Sequence, residues 1–309
     1  VSAAAITAGA LQLGGLALAP LAGGLVQTTK ARLQGRRGPT PLQPYRELRR
    51  LWRKSGVAPQ PTTAIYRAAP AIVAAAMVVA LLVVPIAGQA PDWGIGDDAL
   101  VLVGLLAMAR LAITLAAWDT GSGFTLMGAG RDLTFAVFAE PVLLLVILLA
   151  ALPAGAGTDL AAMSDAAAGD AIWREPAHWC AALAFVLVAL TEAGRQPVDN
   201  PDTHLELTMV HEGPLLEYAG RDLAVLQWAA AARLWLLLVL GAELFGPKAG
   251  GFGVQLAILA ATLLSLCLGL AVVETSLAKM RVLRVPLFLG GGAALCLAGV
   301  GSWVFGGAL

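Results

Sequence analysis

Long apolar runs separated by short polar intervals set the pattern of the chain. Eight runs reach or approach membrane-spanning length: 4–28, 68–88, 99–118, 133–152, 178–193, 222–245, 253–276 and 285–306. A bilayer crossing takes about 20 residues at helical rise. A helix satisfies its own backbone polar groups in lipid, so the pattern predicts eight transmembrane helices. The alternating segments of a membrane barrel do not occur. The fifth run is the shortest, and its start reaches back toward Trp173. One polar interval has a period of its own. In "PYRELRRLWRKSG" (44–56), Tyr45, Leu48, Leu51 and Trp52 share a helical stripe, while Arg46, Arg49, Arg50 and Arg53 lie largely off it. Pro44 suits a first helical position. This predicts an amphipathic helix over 44–54 lying in the membrane interface; the alternative is a basic loop that only sets topology. The expected fold is an all-α integral membrane protein. It has a single membrane domain over 1–309, with large polar segments at 30–67 and 192–222.

Composition strengthens this reading. The chain is 59% hydrophobic and 13% charged, against about a quarter charged in soluble domains. Its formal net charge of zero gives no footprint for a nucleic-acid partner. Cys180, Cys267 and Cys296 all sit in apolar runs, with no metal or cluster spacing. The start of the chain has no basic region ahead of its apolar run, which argues against a cleaved signal peptide. Orientation follows from Lys and Arg. If the segment 30–67 and the last inter-helix loop, with Lys279, Arg281 and Arg284, are cytoplasmic, so are loops 119–132 and 194–221. That side then holds sixteen of the 20 basic residues, and both termini face outward. Loops 89–98 and 153–177 become outer polar connectors. No strong internal repeat is present, which weighs against an inverted-repeat transporter.

Charges inside spans are costly and mark function or pairing. Glu140 lies about two turns inside the fourth run, Arg110 and Arg233 lie mid-run, and Glu192 and Glu274 end the fifth and seventh. Glu140 reads as a proton-exchanging group, with a purely structural hydrogen bond as its alternative. Arg110 and Arg233 read equally as structural counter-ions. The segment 192–222 continues the series with Asp199, Asp202, Glu206, Glu212, Glu217 and Asp222, balanced by Arg195 and Arg221. Asn200 and Pro201 predict the start of a short helix to about residue 212, with His204 and His211 on one face. The spacing matches no zinc signature. A charged loop in isolation reads as solvated surface. Its adjacency to Glu192 and Glu140 instead suggests a titratable path from one aqueous face into the membrane.

The same residues carry a family resemblance. "LTEAGRQPVDNPDTHLELTMVHEGPLLEYAGRDLA" (190–224) resembles the cytoplasmic loop of the membrane subunit of formate hydrogenlyase and hydrogenase 4. That family is related to the quinone-reducing membrane subunit of the bacterial NADH-quinone oxidoreductase, equivalent to complex I subunit 1. "RLQGRRGPTPLQPYRELRRLWRK" (32–54), "WDTGSGFTLMGAGRDLTFAVFAEP" (118–141) and "ETSLAKMRVLRVPLFLG" (274–290) resemble its other cytoplasmic segments. The family's Gly-Ala-x-Arg motif falls on "GAGR", ending at Arg131, and its membrane-embedded Glu falls on Glu140. Its Glu-x-x-Arg-x-Pro-Phe-Asp-x-Pro-Glu pattern maps onto Glu192, Arg195, Pro197, Val198, Asp199, Pro201 and Asp202, with Val198 replacing Phe and Asp202 replacing Glu. Glu206 matches a family acid, and "EYAG" (217–220) matches Glu-Tyr-Ser-Gly. The interval from Glu206 to Glu217 is longer than in the quinone-reducing relative. The chain is thus more similar to the hydrogenase branch, and the case for a bound quinone is weakened.

The resemblance implies a membrane anchor and coupling subunit. The chain itself would bind no cofactor. A nickel–iron centre and iron–sulfur clusters would belong to partners: hydrogenase-like large and small subunits and an iron–sulfur subunit. Antiporter-like membrane subunits would complete the complex in the inner membrane. The implied relay comprises Glu140, Glu192, Asp199, Asp202, Glu206, Glu212 and Glu217, with Arg110, Arg131, Arg195, Arg221 and Arg233 as counter-charges. A quinone-binding component of a respiratory oxidoreductase is the alternative, and a stand-alone ion transporter is a second.

Overall fold

The computed structural model describes residues 3–60, 62–89, 98–153, 155, 157–169, 171–200 and 209–306. Among the described residues ten α-helices follow one another: α1 (Ala3–Leu33), α2 (Gln43–Trp52), α3 (Ala64–Val83), α4 (Ala99–Thr120), α5 (Gly123–Ala151), α6 (Leu160–Ala166), α7 (Pro176–Glu192), α8 (Gly220–Phe245), α9 (Phe252–Ser276) and α10 (Val285–Gly306). Seven of these are long and apolar enough to cross a bilayer, and α7 is a shorter apolar helix. The eight apolar helices fall on the eight predicted runs. Among the described residues there is no strand, only the isolated bridges Ile86–Gln89 and Asp98–Asp159.

Three boundaries differ from the hydropathy reading. The expected loop 119–132 is almost entirely helical, because α4 and α5 break only at Gly121 and Ser122. Gly121 has φ 66° and ends α4, a conformation glycine adopts without a Cβ penalty. The following "GFTLMGAGRD" has no breaker strong enough to delay α5. Helix α3 starts four residues before the second run, at Ala64. The Thr63 side chain accepts from Ile65 N, and Asp119 Oδ2 accepts from Thr63 N at 2.7 Å and Tyr66 N at 3.2 Å. It ends at Val83, because Pro85 biases Val84 out of the helical region. The connector 153–177 contains α6, whose first amides Ala161 N and Ala162 N donate to the Asp159 carboxylate.

Between membrane helices apolar burial supplies little drive, so close packing of small side chains and polar pairing hold the bundle. Helix α3 buries Ala69, Val73, Ala76, Met77 and Ala80 on one face, and α4 meets it with Ala99, Leu102, Leu106 and Ala109. Helix α7 packs on α5 and α10, and α1 packs on α8 and α9. Helix α2 lies against α1 and α8, with Leu51 buried and the Tyr45 hydroxyl donating to Ala17 O at 2.6 Å. Trp52, placed by periodicity on the apolar stripe, is instead 56% exposed.

The short α7 decides where the site lies. Its 17 residues span about 26 Å, less than the hydrocarbon thickness of about 30 Å. The segment that follows the helix is enclosed by the bundle and has no helical structure. Gly194, Gln196, Pro197, Val198 and Asp199 are buried. Irregular backbone at this depth is tolerated where protein encloses it. Arg195 N donates to Leu190 O at 2.9 Å and Met280 N donates to Pro197 O at 2.8 Å, anchoring the segment at both ends.

Candidate functional site

Arg110 is the centre of the site. It sits midway along α4 with only 3% of its side chain exposed. Three acids from two other helices converge on its guanidinium. Nη2 donates to both Glu192 oxygens at 2.9 and 2.8 Å, and Nη1 donates to Glu140 Oε1 at 2.5 Å. Nε lies 3.4 Å from Asp132 Oδ2. A guanidinium presents a planar fork of donors, which suits it to hold several carboxylates at once. Asp132 and Glu140 reach the same point because they stand eight residues apart on α5, on one helical face. Glu192 arrives because α7 ends at this depth. Arg233 of α8 lines the same cavity of about 100 Å³ with Arg110, Asp132 and Glu192. It forms no ion pair with a described residue. Three carboxylates, Asp132, Glu140 and Glu192, thus face two guanidiniums, Arg110 and Arg233.

A second group lies at the α2 end of the bundle. Asp199 Oδ1 accepts from Lys279 Nζ at 2.6 Å, and its Oδ2 accepts from Val210 N and His211 N, both at 3.2 Å. Burial alone would raise the Asp199 carboxyl. The His211 imidazole and the Lys279 ammonium outweigh it and hold Asp199 well below the usual carboxylate range. These bonds explain a further departure from expectation. The helix predicted over 201–212 does not extend through its described part, because residues 210–212 form a bend. The amides of Val210 and His211 are committed to Asp199 rather than to a helical ladder. A third group joins Glu274 Oε2 to Lys30 and Glu274 Oε1 to Arg195, each at 3.2 Å. The connection behind the bend is packed closely: a Cβ on Gly128 would lie 2.8 Å from Gly213 Cα.

The remaining sequence-derived positions divide. Glu212 lines a cavity of about 690 Å³ bounded by α1, α2, α8 and the segment after α7. Glu217 contributes its carbonyl, which accepts from the Tyr66 hydroxyl at 2.7 Å. Tyr66 and Tyr218 stack with centroids 4.2 Å apart, and the Tyr218 hydroxyl donates to Tyr66 O at 2.9 Å. Arg131 donates to Met209 O at 3.2 Å rather than to an acid. Arg221 is exposed, and its Nε donates to Trp52 O at 3.4 Å. Arg195 serves Glu274. Asp202, Glu206 and His204 lie outside the described residues. Of the five arginines read as counter-charges, Arg110 and Arg195 pair with acids.

The sequence pattern does not mark Asp132 or Lys279 as relay positions. Asp132 is legible once 123–132 is read as helix, since residues 132, 136 and 140 share a face. At the opposite end a separate cluster lies buried. Glu243 accepts from Ala87 N at 2.6 Å and Ser164 Oγ at 2.8 Å, and pairs with Lys248 Nζ at 3.0 Å. Lys248 also contacts the Ser164 hydroxyl. Burial lowers the Lys248 pKa, and Glu243 offsets part of that effect. Among the described residues no group of three or more His, Cys, Asp or Glu converges as a metal site. Cys180, Cys267 and Cys296 are free thiols.

Over residues 8–295 the chain matches the NADH dehydrogenase family. It is 31% identical to hydrogenase-4 component C of Escherichia coli over 298 residues, covering 94% of this chain and 92% of that protein. It is 32% identical to formate hydrogenlyase subunit 4 of Escherichia coli over 285 residues, covering 87% and 89%. NADH-quinone oxidoreductase subunit 8 of Rhodothermus marinus is similar at 27% identity over 207 residues, 66% of this chain and 60% of that protein. The fold is shared with a chain of the membrane-bound sulfane sulfur reductase, an archaeal respiratory membrane complex. There the TM-score is 0.79 at 19% identity, covering 96% and 98% of the two chains.

Proposed function

The chain belongs to the NADH dehydrogenase family as a multi-pass membrane subunit of the complex I-like hydrogenase and dehydrogenase group, and from that premise we propose that it anchors and couples an energy-converting hydrogenase of the formate hydrogenlyase type. Hydrogenase-like large and small subunits with an iron–sulfur subunit dock on its α2 face, which faces the cytoplasm. Those partners hold the nickel–iron centre and the clusters. Antiporter-like membrane subunits adjoin the bundle in the inner membrane, and both chain ends face outward. The chain is one membrane domain, with 30–67 and 192–222 as its docking and coupling segments.

The observation that carries this reading is the convergence of Glu140, Asp132 and Glu192 on Arg110 inside the bundle. Buried ionisable groups at membrane depth mark proton and ion paths. With three carboxylates facing Arg110 and Arg233, the remaining negative charge is balanced by a transferable proton. Electron transfer in the docked module alters the field and conformation at the segment after α7, and the cluster changes its proton occupancy in response. Asp199, Asp202, Glu206, Glu212 and Glu217 extend the relay toward the cytoplasm. Mass spectrometry of the intact complex, followed by redox-driven pH change in liposomes, tests this. Hydrogenase-like partners and coupled proton movement are expected. A lone chain, or a complex that turns over without moving ions, is the contrary result.

The cavity of about 690 Å³ favours a second reading. Its position between α1, α2 and α8 suits a lipophilic quinone and would make the chain the quinone-binding component of a respiratory oxidoreductase. Quinone retained by the purified complex, and turnover blocked by quinone-site inhibitors, would select this reading over the first.

A further inference from the structure

His211 stands between the two cavities. The larger one is lined by Asp199 and the smaller by Asp132, Arg110, Glu192 and Arg233. Ala193, His211, Leu215 and Ala230 line both, and of these four only His211 ionises. Its two ring nitrogens face opposite ways. Nδ1 lies 3.5 Å from Asp199 Oδ2, and Nε2 lies 3.5 Å from Asp132 Oδ1. Both His211 Nδ1 and Asp132 Oδ1 are buried and have no hydrogen-bond partner among the described residues. A few tenths of an ångström of approach would close either contact into one. The ring sits directly over Gly194, where a Cβ would lie 2.7 Å from Nδ1. Its own amide is tied to Asp199 Oδ2 at 3.2 Å, so the backbone beneath the imidazole is fixed.

The geometry points to His211 as the proton-transfer residue that joins the Asp199 side of the protein to the Arg110 cluster. This rests on the relay reading above and supplies the link that reading lacks. Without the imidazole, Asp199 and Asp132 lie on two separate cavities. The groups facing it are Asp132 from α5, Arg110 from α4, Glu192 from α7, Arg233 from α8, and Asp199 with its partner Lys279. The transfer conserves charge. A neutral ring bearing its proton on Nε2 accepts a second proton at Nδ1 from the larger cavity. The resulting imidazolium gives the Nε2 proton to Asp132 Oδ1, leaving a neutral ring protonated at Nδ1. A turn about Cβ–Cγ brings Nε2 toward the larger cavity, where exchange with water removes the Nδ1 proton and places one on Nε2; the turn back restores the starting state with no net change in charge. No electron moves in either step.

The test uses the purified complex in vesicles, driven by its own redox reaction, with a pH-sensitive dye as readout. A wild-type complex that moves no protons defeats the coupling reading itself, which separates that failure from this one. Where the wild type moves protons, assembled His211→Gln is expected to lose coupled movement by about tenfold or more. His211→Ala is expected to lose it equally and to regain part of it with added imidazole, which enters through the larger cavity. Wild-type rates in His211→Gln, or no rescue of an assembled His211→Ala, overturn the proposal. If neither variant assembles, the solvent isotope effect on the wild type decides. A coupled rate slowed in deuterium oxide supports a proton-transfer link, and an equal rate overturns it.

Discussion

Arg110 Nη2 donates to both carboxylate oxygens of Glu192 although 82 positions separate the two residues in sequence. The contact exists because α4 passes through the bundle and α7 stops within it. Glu192, at the last position of a short helix, is carried to the depth that Arg110 occupies mid-helix.

Removal of Arg110 leaves Glu192, with 1% of its side chain exposed, without its ion-pair partner. Breaking a buried pair in this way costs about 3–5 kcal/mol. Arg110→Gln should therefore lower the melting temperature of the detergent-solubilised protein strongly or prevent its accumulation. Arg110→Lys retains the charge but not the fork, and should fall between wild type and Arg110→Gln. Equal melting temperatures for all three would refute the organising role of Arg110.

Glu140 and Glu192 share a partner but differ in enclosure, at 28% and 1% side-chain exposure. Glu140→Gln keeps a hydrogen-bonding group in a partly open site. It should assemble at wild-type level while redox-driven proton movement falls by about tenfold or more. Glu192→Gln removes the charge from a fully enclosed pair and should reduce the yield of intact complex first. Native mass spectrometry beside the vesicle assay distinguishes the two. A fully coupled Glu140→Gln complex would remove that residue from the relay.

The Asp199 carboxyl is held below its ordinary value by His211 and Lys279 despite burial. A depressed folded value contributes stability that is present above the unfolded aspartate value of about 3.9 and is lost only as pH falls through the folded one. The amides of Val210 and His211, which donate to Asp199, should then keep their hydrogen-exchange protection from neutral pH down to about 4.5, above that unfolded value, after correction for intrinsic rates. Asp199→Asn should lose that protection at every pH in this interval. Protection that disappears near pH 5 in the wild type, more than a unit above the unfolded aspartate value, would contradict the assignment.

Gly194 has φ 59° and no room for a Cβ beside His211, whereas Gly35 has φ 69° and open space around it. Gly35→Ala incurs only the backbone penalty of about 1–2 kcal/mol for a left-handed residue. Gly194→Ala adds displacement of the imidazole. It should destabilise more than Gly35→Ala and slow coupled proton movement, which Gly35→Ala should leave unchanged. Thermal melts and the vesicle assay on the same preparations check both parts.

The apolar runs alone determined the eight helices and the all-α class, because lipid leaves the backbone of a spanning segment no other partner than itself. Charges inside those runs, Arg110 and Glu140 above all, were legible for the same reason: water is the cheap place for a charge, and they are not in it. The amphipathic period of 44–54 likewise announced α2. Tertiary structure decided which charges meet. Asp132 is hidden while "GAGRD" reads as loop, since its shared face with Glu140 exists only if the helix already includes residue 132. The depth at which α7 ends, the turn of the chain back into the bundle at Gly194, and the position of His211 between two acids depend on contacts across 12 to 82 positions. Local periodicity carries no information on such pairings. They are fixed by packing, and with them the arrangement on which the coupling reading depends.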